Sequence, residues 1–184
     1  MTIIEIVNIK LAVLTLIGKI FIISSILYLI FFRKKYGFIS KFIGKYGILF
    51  AFITALIATS GSLFYSNYAG FTPCVLCWFQ RIFMYPLVIV LGMTLFKKRA
   101  DIIDHALSLS TVGFLISLYH NYIYYKNQGL IVPCDALSSG VSCVKRYVFE
   151  FGYITIPMMA LTAFVIIIIF LIFAKVNQKI ENSK

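Results

Sequence analysis

Two cysteines separated by two residues, Cys74-Val75-Leu76-Cys77, follow Pro73 and stand where an apolar run begins. This is the spacing of a dithiol that opens and closes readily. At a helix start, backbone N–H groups without partners stabilise a thiolate and lower its pKa. A low-pKa thiolate also leaves easily, so a disulfide there is readily exchanged. A second pair, Cys134 and Cys143, brackets a small, polar stretch that reads as a loop. Outside the cytoplasm this pair is expected to be oxidised. Alone it reads as a staple on a long loop. With the first pair on the same side of a membrane, it becomes a disulfide that can pass oxidation on.

Arg81 comes four residues after Cys77 and shares its helix face, about one turn further in. It is either a snorkelling arginine or a fixed charge with two uses. The guanidinium favours a Cys77 thiolate, and it offers donors to a carbonyl oxygen of a lipid-soluble acceptor such as a quinone. Gln80 and Trp78 are candidates to line the same place. His120, near the end of a later apolar run, is either a packing residue or, in a redox site, a proton shuttle. Four cysteines can also hold zinc, which needs four converging ligands. Asp and His are sparse around these cysteines, which weakens a metal-binding or metal-transport reading; no metal ligands are assigned.

The elements that position these groups follow from composition. The chain has 184 residues, 61% of them hydrophobic and 12% charged. A soluble domain of this size has too little interior for so much apolar surface, and disorder needs few hydrophobes. The solvent for most of the chain is lipid. Four runs are long enough to cross the hydrocarbon core as helices: Tyr46–Ser66, Trp78–Phe96, Ala106–Tyr125 and Ile156–Ala174. A fifth, Leu11–Phe32, is interrupted by Lys19. It reads as an additional N-terminal span in preference to a helix lying in the inner interface. A cleaved leader is disfavoured by the length of the run and the lack of an A-x-A-like site. The fold class is an all-α integral membrane protein. Residues 1–45 form an N-terminal helix and basic loop, 46–176 a four-helix domain, and 177–184 a basic tail.

The net charge of +11 does not point to nucleic acid, because the basic residues cluster between apolar runs as topology signals do. Arg33, Lys34, Lys35, Lys41 and Lys45, then Lys97, Lys98 and Arg99, then Lys175, Lys179 and Lys184 share one side, expected to be the cytoplasm. Both cysteine-bearing loops then face outward. In the second run Ala51, Ala55, Ala58, Thr59 and Ser62 recur at helical spacing and suit close helix approach. Val144, Tyr147, Val148 and Phe151 read either as one face of a short amphipathic surface helix or as part of a mixed loop.

The stretch Pro73-Cys74-Val75-Leu76-Cys77-Trp78-Phe79-Gln80-Arg81, with Ile82 and Met84-Tyr85-Pro86-Leu87, resembles the DsbB/BdbC family of membrane disulfide-bond formation proteins. Phe151-Gly152-Tyr153-Ile154-Thr155-Ile156-Pro157 and the short Cys134–Cys143 spacing are similar to the BdbC branch. The resemblance covers about Gly47 to Ala174 and leaves the first 45 residues aside. It implies a four-helix bundle in the cytoplasmic membrane with both cysteine loops outside. It implies a protein-disulfide:quinone oxidoreductase that re-oxidises a thioredoxin-fold oxidase of the DsbA/BdbD type and passes electrons to ubiquinone or menaquinone. Carried over, Cys134 takes the mixed disulfide with the partner and Cys143 resolves it. Cys77 works against the quinone with Cys74 as its pair, and Arg81 and His120 fall in the quinone site. A vitamin K epoxide reductase-like enzyme also joins C-x-x-C to a quinone, but there the loop cysteines precede the C-x-x-C.

Overall fold

The computed structural model describes residues 2–31, 38–97, 102–126 and 143–181. Five helices are long and apolar enough to cross a membrane. They are α1 (Ile3–Phe31), α2 (Phe38–Leu63, continued by a π turn over Phe64–Tyr68), α3 (Val75–Lys97), α4 (Ile102–Lys126) and α5 (Ile156–Glu181). Helices α2, α3, α4 and α5 close a ring of neighbours, and α1 packs against α5 from outside it.

The bundle turns the soluble pattern inside out. Its surface carries large apolar side chains such as Ile20 (68% exposed), Ile89 (66%) and Phe96 (89%). A soluble protein would not leave such a belt bare; lipid is its solvent. With no hydrophobic force between helices in lipid, close packing of small residues joins them. Ala51 and Ala55 of the expected small-residue face are fully buried, against a core that includes Leu87, Leu91, Phe164 and Ile167. Glycines mark the closest approaches. A Cβ on Gly47 would stand 2.6 Å from the Phe170 carbonyl oxygen of α5. One on Gly44 would meet Asn177 at 2.6 Å, and one on Gly113 would strike the Phe164 ring. At this same end Lys175 pairs with Asp104 at 2.6 Å.

Helix α1 begins eight residues earlier than its apolar run suggests. Thr2 and Glu5 form a reciprocal cap: the Thr2 N–H donates to Glu5 (2.9 Å) and the Glu5 N–H to the Thr2 hydroxyl (3.3 Å). Its inward seam is small or polar, with Asn8, Ala12, Thr15, Gly18 and Ser25 buried. Gly18 faces Thr162 and Ile166 of α5, and Phe21 lies on Phe170 with ring centroids 5.0 Å apart. Numbers rise together along both helices, so α1 runs parallel to α5 and starts at the cysteine end. Lys19 does not sit bare at mid-span. Its ammonium reaches along the helix to the Tyr153 ring, 4.3 Å from the centroid.

Residues 144–151 are the mixed loop of the two readings, not an amphipathic helix. Tyr147 is drawn away to stack on Phe71 (4.6 Å), and Val148 is buried. Phe151 (φ +51°) and Gly152 (φ +77°) then turn the chain left-handed between the paired Glu150 and Ile154. Two successive positive φ values cannot continue a right-handed helix.

Candidate active site

Cys74 is the last residue before α3 and its cap. Its carbonyl accepts the first helical N–H, from Trp78 (3.0 Å), and its sulfur accepts the Cys77 N–H (3.4 Å). The two-residue spacing therefore puts one thiol at the cap and the other three residues on, where the helix offers a free donor. Both thiols are free, with sulfurs 2.9 Å apart. Gly70 (φ +67°) lets the preceding chain leave the π turn, and the Phe71 N–H closes back on the Tyr65 carbonyl (2.9 Å).

His120 of α4 completes the cluster and is fully buried. Its Nε2 lies 3.8 Å from the Cys74 sulfur and 3.2 Å from the Cys143 carbonyl oxygen. A carbonyl only accepts, so Nε2 carries a proton. Nδ1 accepts from the Gln80 amide at 3.2 Å, which describes a neutral ring. Turning the Gln80 amide over would present its oxygen instead, and the ring could then hold a second proton. Gln80 thus serves either state.

These contacts favour a thiolate on Cys74. The hydrogen bond from the Cys77 thiol is the largest cause. Donation and charge from His120 and the Cys77 backbone N–H add to it, while burial opposes them, and the Cys74 thiol comes down to about 4. That is near the low end of the range, about 3.5–7.5, that helix starts and neighbouring cations produce.

Arg81 shares the Cys77 face, yet its hydrogen bonds go elsewhere. Nε donates to the Ser62 hydroxyl (2.9 Å) and the guanidinium to the Ser62 carbonyl (3.2 Å). Tyr85 donates to the same hydroxyl (3.3 Å). Trp78 does not line the interior. It is 55% exposed and flanks Arg81 from outside, 5.4 Å from ring centroid to guanidinium.

Cys77, Gln80, Arg81 and His120 open onto a cavity of about 400 Å³ between α1, α2, α5 and the start of α3. Its remaining lining is largely apolar, as small-molecule sites are. Two polar groups in its wall are unspent: the buried Tyr65 and Tyr124 hydroxyls have no hydrogen-bond partner among the described residues. Sequence reading did not single out Tyr65. Its inward aim comes from the π turn, which no residue pattern announces. Ser62 was legible only as a small residue, not as the partner of Arg81.

The second cysteine segment docks on the first. Tyr147 donates to the Thr72 carbonyl (3.3 Å) and stacks on Phe71. Cys143 is buried in one cluster with Cys74, Leu76 and Ile123. Cys143 is disulfide-bonded; Cys134, its expected partner, lies outside the described residues. The ligand atoms of Cys74, Cys77 and His120 lie within 4.8 Å of one another, a soft three-donor set that a thiophilic ion would suit. A structural zinc takes four donors, and the Nε2 proton of His120 is turned toward the Cys143 carbonyl.

The comparisons with known proteins agree with this chemistry. A family model described as "Disulfide bond formation protein DsbB" matches residues 45–174. Disulfide bond formation protein C of Bacillus subtilis (strain 168) is 44% identical over 127 residues, 68% of this chain and 89% of that protein. A probable disulfide formation protein C 2 of Bacillus anthracis is 36% identical over 137 residues, 74% of this chain and 96% of that one. The SPbeta prophage-derived disulfide bond formation protein B of Bacillus subtilis (strain 168) is 41% identical over 119 residues, 65% and 78% of the two chains. No solved structure matches. With the family match covering most of the chain, and a multi-helix membrane bundle holding paired cysteines, the protein belongs to the DsbB family of membrane disulfide bond formation proteins.

Proposed function

We propose that the chain is a protein-disulfide:quinone oxidoreductase of the cytoplasmic membrane, with both cysteine segments on the extracytoplasmic side. A reduced thioredoxin-fold oxidase of the DsbA/BdbD type attacks the Cys134–Cys143 disulfide at Cys134 and expels the Cys143 thiolate, and the partner's own second thiol then resolves the mixed disulfide. The partner leaves oxidised, and the loop pair becomes a dithiol. That dithiol reduces the Cys74–Cys77 disulfide and is itself restored. The packing of Cys143 against Cys74 supports this hand-over. The orientation rests on the basic residues that flank the spans in the sequence, with Lys45, Lys175 and Lys179 on the helix ends away from the cysteines.

The observation that carries the reading is the junction of thiols and cavity. Free Cys77 and Cys74 face a largely apolar chamber whose polar groups include Gln80, Arg81, His120 and the unpartnered Tyr65 and Tyr124 hydroxyls. These are donors suited to the carbonyl oxygens of ubiquinone or menaquinone. A quinone bound there supplies a two-electron, two-proton sink. The chain's own part is to hold the thiols, to bias the first thiolate toward Cys74, and to keep a movable proton on His120.

The partner is tested by trapping. With Cys143→Ser the Cys134 thiolate attacks the disulfide of an oxidised partner, and the mixed disulfide accumulates because no Cys143 thiolate is there to displace the partner. Mass spectrometry of the adduct from intact cells is expected to find one thioredoxin-fold protein. An adduct with only small thiols would overturn the partner assignment. Arg81 is tested by kinetics. Arg81→Ala is expected to raise KM for quinone about tenfold, the loss of one charge-assisted hydrogen bond, with a smaller effect on exchange with the partner. Equal losses in both would assign Arg81 to holding α2 through Ser62.

A further inference from the structure

We propose that α1, the helix outside the family match, is a wall of the acceptor cavity and sets which lipophilic acceptors enter it. The inference rests on the quinone reading above. The family model begins at residue 45, and α1 ends at Phe31. Yet Leu11, Leu14, Thr15, Gly18 and Phe21 of α1 line the same chamber as Cys77, Arg81 and His120.

The reason lies in how α2 and α5 meet. Away from the cysteines they approach closely, with Gly44 on the Asn177 side chain and Gly47 on the Phe170 backbone carbonyl. Toward the cysteines the cavity forms a gap lined by both helices, from Thr54 to Tyr65 and from Ile156 to Phe170. Without α1 that gap would face lipid.

Helix α1 lies across it, fixed at two points. Gly18 sits against Thr162 and Ile166 of α5, where a Cβ would come within 2.7 Å of Ile166. Leu11 sits against Gly61 of α2, 3.2 Å from where a Cβ would stand. One helix therefore bridges both jambs of the opening. Its contribution to the chamber is apolar. Even the Thr15 hydroxyl is spent on the Leu11 carbonyl (2.8 Å), leaving its methyl group to pack. Donors stand on the facing wall, so α1 recognises the apolar body of a quinone, its ring edge and the start of its tail, by shape. Leu14 and Ile17 are 44% and 57% exposed while lining the cavity; they mark the side on which an acceptor dissolved in lipid reaches the chamber.

The test uses the full chain in lipid nanodiscs and a short-tailed azidobenzoquinone. After irradiation and trypsin, label is expected on the peptide between Lys10 and Lys19 as well as on α3. Label on α3 or α5 with none on that peptide overturns the wall and keeps the quinone site. If the wild-type chain neither forms quinol nor takes label, the quinone reading fails first and α1 with it. A second measurement reads selectivity within one variant. Thr15→Phe narrows the chamber and is expected to raise KM for a two-ring naphthoquinone roughly tenfold more than for a one-ring benzoquinone of equal tail. An unchanged ratio of the two KM values overturns the selectivity claim.

Discussion

Replacing Cys77 with serine is expected to stop quinol formation, lowering the rate by a factor on the order of 10³ or more. Cys77 stands 2.9 Å from Cys74, lines the cavity together with it, and shares its helix face with Arg81. A serine hydroxyl fits the space but cannot form the disulfide whose closure releases two electrons. The measurement is quinone absorbance in proteoliposomes supplied with a reduced thioredoxin-fold partner. Exchange of that partner with the Cys134–Cys143 pair should continue for a single turnover, because those sulfurs are untouched. A variant that still turns over at the wild-type rate would remove the C-x-x-C pair from the electron path.

The second large effect concerns proton placement. In the reduced protein the Cys74 thiol titrates at about 4, held down chiefly by the Cys77 thiol and further by His120. In the unfolded chain a cysteine titrates near about 8.5. A thiol depressed on folding contributes stability that is fully present above the unfolded value. That stability is lost as pH falls from there through about 4. Thiolate absorbance of the reduced wild-type protein should therefore persist to about pH 4. His120→Ala removes a donor to Cys74 and leaves the buried Cys143 carbonyl without its partner. Its absorbance midpoint is expected to move upward, with slower thiol exchange near pH 6. An unmoved midpoint would reduce His120 to a packing residue. His120→Gln, which retains a donor, should recover part of the shift; a merely structural role would not predict that.

The spans were legible because lipid demands about 20 apolar residues in a row, and all five runs became helices. Their ends were not. Helix α1 starts at a Thr2–Glu5 cap that lies outside the apolar run, and α2 extends through a π turn. The 144–151 segment had helical spacing in its apolar residues, but contacts to Phe71 and Thr72, far away in sequence, override that local pattern. Chemistry written within about two helical turns was readable: Cys74, Cys77, Gln80 and Arg81 are a local code. Chemistry assembled across 40 residues was readable only as candidates. Gln80 and His120 were each singled out, while their mutual hydrogen bond was not. Helical spacing put Arg81 on the Cys77 face, but it could not say that the guanidinium would turn to Ser62. The aim of Tyr65 and the position of α1 across the cavity depend wholly on tertiary packing.

Helices α2 and α5 meet closely at Gly44 and Gly47, and the cavity is lined by residues nearer their other ends. Such a pair behaves as a forked spring. Close packing at the stem is expected to concentrate stiffness there, which leaves thermal bending to the tips, where the redox chamber lies. The chamber can widen and narrow as occupants come and go while the alanine-lined core beside the stem keeps its packing. The site's plasticity and the fold's rigidity thus occupy opposite ends of the same two helices.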